Sequence, residues 1–182
     1  MTTFISAGHN PKGIKIDPGA IGNGFHEADL TVEFRNLVVA ELLKRKVNVI
    51  TDKDDERIGD YLKRIQTGSG SVVLEFHFDA AESPMATGTT ALVGNDADRL
   101  DKAFAKELVA QTSTTLGVKN RGVLSESDSH RGSLGLMREQ GIVSLLEICF
   151  ISNKSDLEKY QKTKDVLAIQ IAGIIECYEN LI

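Results

Sequence analysis

The chain has 182 residues, 41% of them apolar and 26% charged, with a formal net charge of −5. That size fits one domain able to bury a sizeable core, and the negative balance argues against nucleic acid or an acidic membrane surface as the main partner. Cys149 and Cys177 do not form a disulfide framework and read as free thiols. No apolar run approaches the roughly 20 residues of a membrane-spanning helix.

Residues 2–8 read as a first strand that delivers His9, because Gly8-His9-Asn10-Pro11 is a turn cluster no strand continues through. Residues 10–25 are rich in glycine and proline and form a loop, with turn chemistry at Asp17-Pro18-Gly19-Ala20. From Glu27 to about Lys46, Leu30, Phe34, Leu37, Val38 and Leu42 fall on one helical arc. Glu27 lies in the middle of that arc, so its carboxylate needs a partner. The helix N-terminus supplies part of one, and a metal ion would supply the rest. Glu41 shares the arc, so the position alone does not single out Glu27.

Residues 47–50 make a short strand, residues 52–66 a charged helix, and residues 67–70 a turn. The β-branched and apolar run at residues 71–79 is a buried strand whose carboxyl end carries His77. A strand at residues 87–93 precedes an amphipathic helix at residues 97–116. The polar stretch 117–133 is expected to be a loop over the site, and residues 134–137 a brief strand. Residues 142–146 form another apolar strand and deliver Glu147. Ser152-Asn153-Lys154-Ser155-Asp156 offers capping groups for a closing helix, or pair of helices, out to Leu181. This alternation predicts a single-domain α/β fold, a mostly parallel twisted sheet with helices on both faces.

In such sheets functional groups collect beyond the carboxyl ends of the strands. Two histidines and a glutamate at three such ends point to a metallohydrolase. Zinc is often held by two His and one carboxylate with a position left open, which makes His9, Glu27 and His77 candidate ligands. A separate carboxylate must move the proton, and Glu147, followed by Ile148-Cys149-Phe150-Ile151, is placed to be buried. Each residue alone also fits a blander role: a polar or core histidine, or a helix-capping glutamate. His26 falls at the margin of the helical arc, and His130 in a solvated loop. If the strand continues that far, alternation puts Cys149 on the same side as Glu147, within a few ångströms of the site, either as a small apolar filler or as a thiol open to oxidation or to zinc.

Ser6-Ala7-Gly8-His9, Asp17-Pro18-Gly19-Ala20, Glu27, His77-Phe78-Asp79-Ala80, Gly88-Thr89, Asn120-Arg121-Gly122-Val123 and residues 146–153 occur in the order found in the zinc-dependent N-acetylmuramoyl-L-alanine amidases of the Amidase_3 family, which the chain resembles over essentially its whole length. The resemblance implies one catalytic domain over residues 1–182. It implies one zinc ion (Zn2+) on His9, Glu27 and His77, with Glu147 as acid/base. It also implies peptidoglycan as substrate, cut at the amide between N-acetylmuramic acid and L-alanine. Three departures stand out: Phe78-Asp79 where the family has a small residue and then Asn, Cys149 where it has Gly, and a longer stretch between Val123 and Leu134.

The N-terminus lacks the basic and apolar regions of a signal peptide. A monomer made in the cytoplasm and acting on the cell wall after release is therefore expected, as in a phage or prophage endolysin. A catalytic domain cut from a longer secreted protein fits equally. The competing functions are a zinc peptidase or deacylase acting on another amide, and a catalytically silent module that grips peptidoglycan.

Overall fold

The computed structural model describes residues 2–129 and 132–181. A six-stranded sheet runs in the order β4-β1-β5-β8-β6-β7. Its strands are β1 (Thr3–Ala7), β4 (Val49–Thr51), β5 (Val72–Asp79), β6 (Thr89–Val93), β7 (Asn120–Ser125) and β8 (Ile142–Phe150). The first four strands in that order are parallel. β6 is antiparallel to β8, and β7 is parallel to β6. Every residue of β1 and β8 is buried, as expected for interior strands covered on both faces.

The helices are α1 (Glu27–Lys44), α2 (Ile58–Arg64), α3 (Arg99–Leu116) and α4 (Lys154–Glu179). The larger core joins α1, α3 and α4 to one sheet face. Phe34, Phe76, Phe78 and Tyr160 interlock edge to face there, with Phe34–Phe76 and Phe78–Tyr160 centroids 4.9 and 5.0 Å apart. The other face is thinner: Phe4, Val73, Leu92, Val143 and Leu145 pack under Tyr61 of α2 and under Leu136 and Met137. Because side chains alternate along a strand, Glu75 and His77 share this thinner face with Val73, and Glu147 shares it with Val143 and Leu145. The site is thus built where the thin cover ends.

Several expectations are corrected. The acidic run opening the anticipated 52–66 helix is not helical, since Asp52 and Asp54 are committed to Arg35 of α1 at 2.9 and 2.6 Å; α2 starts only at Ile58. The supposed 117–133 loop contains edge strand β7 and a 3-10 turn, Glu126–Asp128. Residues 134–137 are no strand: a 3-10 turn, Gly135–Arg138, buries Leu136 and Met137 in the thin-face core. The loop before α1 holds a small hairpin, β2 (Ile21–Gly22) with β3 (Phe25–His26). Its turn residues Asn23 and Gly24 have φ of 49° and 85°, as a tight mirror-image turn requires. The closing element is one helix, capped by Asn153, whose side chain accepts from Asp156 N–H. No described helix is long and apolar enough to cross a membrane.

Candidate metal centre

Three segments converge beyond the carboxyl ends of β1 and β5. Gly8 N–H donates to Phe76 carbonyl at 2.8 Å, and Thr31 Oγ1 of α1 donates to the Gly8 carbonyl at 2.7 Å. This fixes the chain just before His9, whose φ of 66° lies in the left-handed region. A Cβ on Gly8 would come within 2.2 Å of the His77 ring, and one on Gly19 within 2.7 Å of Glu27 Oε2. Both glycines are there because the backbone passes too close to the side chains of the site to carry its own.

The first turn of α1 is set by the same loop. Glu27 N–H and Ala28 N–H donate to the carbonyls of Ala20 and Pro18 at 2.9 and 3.1 Å, filling the role of a cap. Ala20 N–H in turn donates to Glu27 Oε2 at 2.9 Å, and Phe78 N–H to Oε1 at 3.0 Å. Glu27 is therefore a buried carboxylate with each oxygen anchored by backbone. His9 Nε2 lies 3.2 Å from Oε2 and His77 Nδ1 lies 2.8 Å from Oε1. Burial alone would push the Glu27 carboxyl up, but hydrogen bonds from His77 and His9 and the charge near them outweigh it and hold it well below the usual range. Burial likewise pulls His9 down, and Glu27 and Asp17 outweigh it, leaving that imidazole raised.

Each imidazole meets a second carboxylate at its other nitrogen: His9 Nδ1 is 2.9 Å from Asp17 Oδ2, and His77 Nε2 is 2.9 Å from Glu75 Oε1. Among the described residues, His9, Glu27 and His77 form the group able to hold a metal ion, with one ligand atom from each within 4.8 Å of the others. Two imidazoles, one carboxylate and an outer carboxylate on each imidazole make a donor set that fits zinc. A cleft of about 460 Å³ opens over it, lined by His9, Asp17, Arg57, Glu75, His77 and Leu134 among others.

Glu147 is the register partner of His77 on β8 and of Thr90 on β6, so it faces the same side one strand over. It is 4% exposed, and it lines a cavity of about 130 Å³ with Asp79, Thr90, Arg121, Asp128 and Ser129 among others. All four candidate residues thus come to one edge of the sheet. His26 does not: it is exposed and 3.8 Å from Asp29. His130 lies outside the described residues.

Cys149 is also corrected. The β5–β8 register moves from His77↔Glu147 to Asp79↔Phe150, which leaves one extra residue on β8. Such a bulge breaks the alternation, and Cys149 enters the larger apolar core, fully buried, with burial pushing its thiol well up. The sequence alone places Asp17 in a turn and gives Glu75 no role. For Glu75 a signal existed, since it lies two residues before His77 on a strand and so on the same side.

Residues 3–177 match the family model for N-acetylmuramoyl-L-alanine amidase, Amidase_3. A Bacillus subtilis (strain 168) protein, the uncharacterized YqiI, is 26% identical over 189 residues, covering 98% of this chain and 85% of that protein. The N-acetylmuramoyl-L-alanine amidase of Clostridium difficile 630 superposes with a TM-score of 0.80 at 22% identity, covering 98% and 96% of the two chains. The catalytic domain of CwlV, the amidase of Bacillus (Paenibacillus) polymyxa var. colistinus, superposes with 0.74 at 21% identity, covering 100% and 99%. With its site at the sheet edge and the match running nearly end to end, the chain belongs to the Amidase_3 family and is an N-acetylmuramoyl-L-alanine amidase.

Proposed function

We propose that this peptidoglycan amidase works with one zinc ion held by His9, Glu27 and His77, that Glu147 is its acid/base, and that residues 1–182 act as one catalytic domain. The observation carrying the reading is the convergence of the three donor atoms within 4.8 Å beside the register partner of His77, Glu147. The bond cut is the amide joining the lactyl group of N-acetylmuramic acid to L-alanine. Zinc bound there would supply Lewis acidity, polarising the scissile carbonyl and making water more acidic.

The chain's own residues do the rest. Glu27, fixed by two backbone N–H groups, keeps a carboxylate at a single point between the imidazoles. Asp17 and Glu75 hold the two rings in orientation. Glu147 takes a proton from the attacking water and hands it to the leaving alanine nitrogen, a two-way transfer that a carboxylate in a mostly buried site performs well.

The test pairs metal analysis with digestion of purified cell wall. About one zinc per chain is expected, with release of L-alanine amino groups, no new reducing sugars, and loss of activity to a chelator. Full activity in metal-free protein would sink the zinc reading. Zinc-dependent cleavage elsewhere in the wall, sparing this amide, would sink the assigned bond.

A further inference from the structure

His77 is held at both ring nitrogens. Nδ1 lies 2.8 Å from Glu27 Oε1, and Nε2 lies 2.9 Å from Glu75 Oε1. Glu75 is only 6% exposed and sits mid-strand, in line with the apolar Val73 of the thin-face core. A carboxylate is costly in such a place unless its oxygens are engaged. Its second oxygen is engaged by Ser6: Ser6 Oγ donates to Oε2 at 3.0 Å across the β1–β5 pair, at the register position Ser6↔Glu75. The serine thereby aims the carboxylate, and the carboxylate aims the ring.

We propose that Glu75 is a positioning residue that keeps the His77 proton on Nε2, leaving the Nδ1 lone pair directed to the point where Glu27 and His9 converge. The proposal deepens, and rests on, the reading of His77 as a zinc ligand. A neutral imidazole carries one N–H, and the group opposite one nitrogen decides which nitrogen keeps it. Carboxylates face both nitrogens and only accept when ionised, so a metal taking the Nδ1 lone pair beside Glu27 leaves Nε2, facing Glu75, as the donor. Asp17 stands in the same relation to His9 at 2.9 Å, but its side chain is 59% exposed. Water can replace Asp17 and cannot readily replace Glu75, so the buried partner should matter more.

The experiment titrates metal-stripped wild type, Glu75→Ala, Glu75→Gln, Asp17→Ala and His77→Ala with zinc against a chromogenic chelator, beside the melting temperature of each metal-free protein. Removing such an outer partner typically costs about 10–100-fold in metal affinity, and Glu75→Ala should lose that much. Glu75→Gln should lose less, because its amide oxygen still accepts from Nε2–H, and Asp17→Ala should lose less than Glu75→Ala. NMR of the zinc-loaded proteins should show the His77 proton on Nε2, with its resonance moved upfield from wild type to Glu75→Gln as the charged acceptor is lost, a change that zinc ligation without a Glu75 contact would not give. A proton on Nδ1 overturns the proposal, as does Glu75→Ala holding zinc within about threefold of wild type. If Glu75→Ala does not fold, the NMR reading decides alone. Zinc lost in His77→Ala but kept in Glu75→Ala overturns the role of Glu75 only. A wild type that binds no zinc overturns the metal centre, and this role with it.

Discussion

At the scale of single residues, Glu147 is where turnover and metal binding should come apart. It belongs to β8, whereas the proposed ligands come from the loop after β1, from α1 and from β5. Glu147→Gln should keep its zinc and its fold yet lose about 10²–10⁴-fold in turnover, measured as alanine release per bound zinc. A near-normal rate would move the proton carrier to Asp79, which lines the same small cavity. His9, His77 and Glu147 were legible in the sequence because each polar group ends or follows an apolar run, and Glu27 because it interrupts an apolar arc. The pairings of Glu75 with His77 and of Asp17 with His9 are not legible, because periodicity tells which side a residue faces and says nothing of what stands opposite. Alternation puts Cys149 on the wrong side for a related reason. A bulge is a property of two paired strands, and it cannot be read from one.

At the scale of elements, a buried cation ties α1 to the strand ends that carry the site. Arg35 is 3% exposed and binds Asp52 and Asp54 after β4, while Asp52 Oδ1 also accepts from Ala7 N–H at 3.1 Å, two residues before His9. Arg35→Ala would strand the Asp52 carboxylate in a buried place, and breaking such a pair typically costs about 3–5 kcal/mol. The deficit should depend on pH. Burial is the largest influence on Asp52 and pushes its carboxyl up even beside Arg35. A group raised in the folded state loses stability as pH rises through its folded value. Without the arginine that rise persists, so denaturant unfolding should show the variant's deficit shrinking as pH falls from neutral towards the acid side. A pH-independent deficit would mean that lost packing, and not a stranded charge, is the cause. This same ion pair explains why a charge-rich segment read as helix is not one. Long apolar elements such as β5, β8 and α4 declared themselves, but β7 did not, since an edge strand with only Val123 and Leu124 as apolar residues carries little periodic signal.

At the scale of the whole molecule, the candidate site draws on residues 9, 27, 77 and 147, so it exists only when the complete parallel block is assembled. Metal affinity is then folding free energy. Free zinc at about 100 times its dissociation constant should add about 2.7 kcal/mol. For a 182-residue chain this corresponds to a rise of about 5–10 °C in melting temperature. Calorimetry across a zinc series checks this, with His77→Ala expected to show no shift. A wild type whose melting ignores zinc would contradict the coupling.

The reversed direction of β6 and β7 divides the rim of the cleft by origin. On the parallel side, the chain reaches the rim on leaving strands; on the β6–β7 side it reaches the rim on entering them, so that Thr90 and Arg121 stand near strand beginnings. The starts of β6 and β7 therefore wall the cavity beside Glu147 without contributing to the donor cluster. Exchanges at Arg121 on that wall should change what is admitted beside Glu147 while zinc affinity is left intact, which wall digestion paired with zinc titration would read. The enzyme is in this sense a tool with a fixed cutting edge and an interchangeable guide.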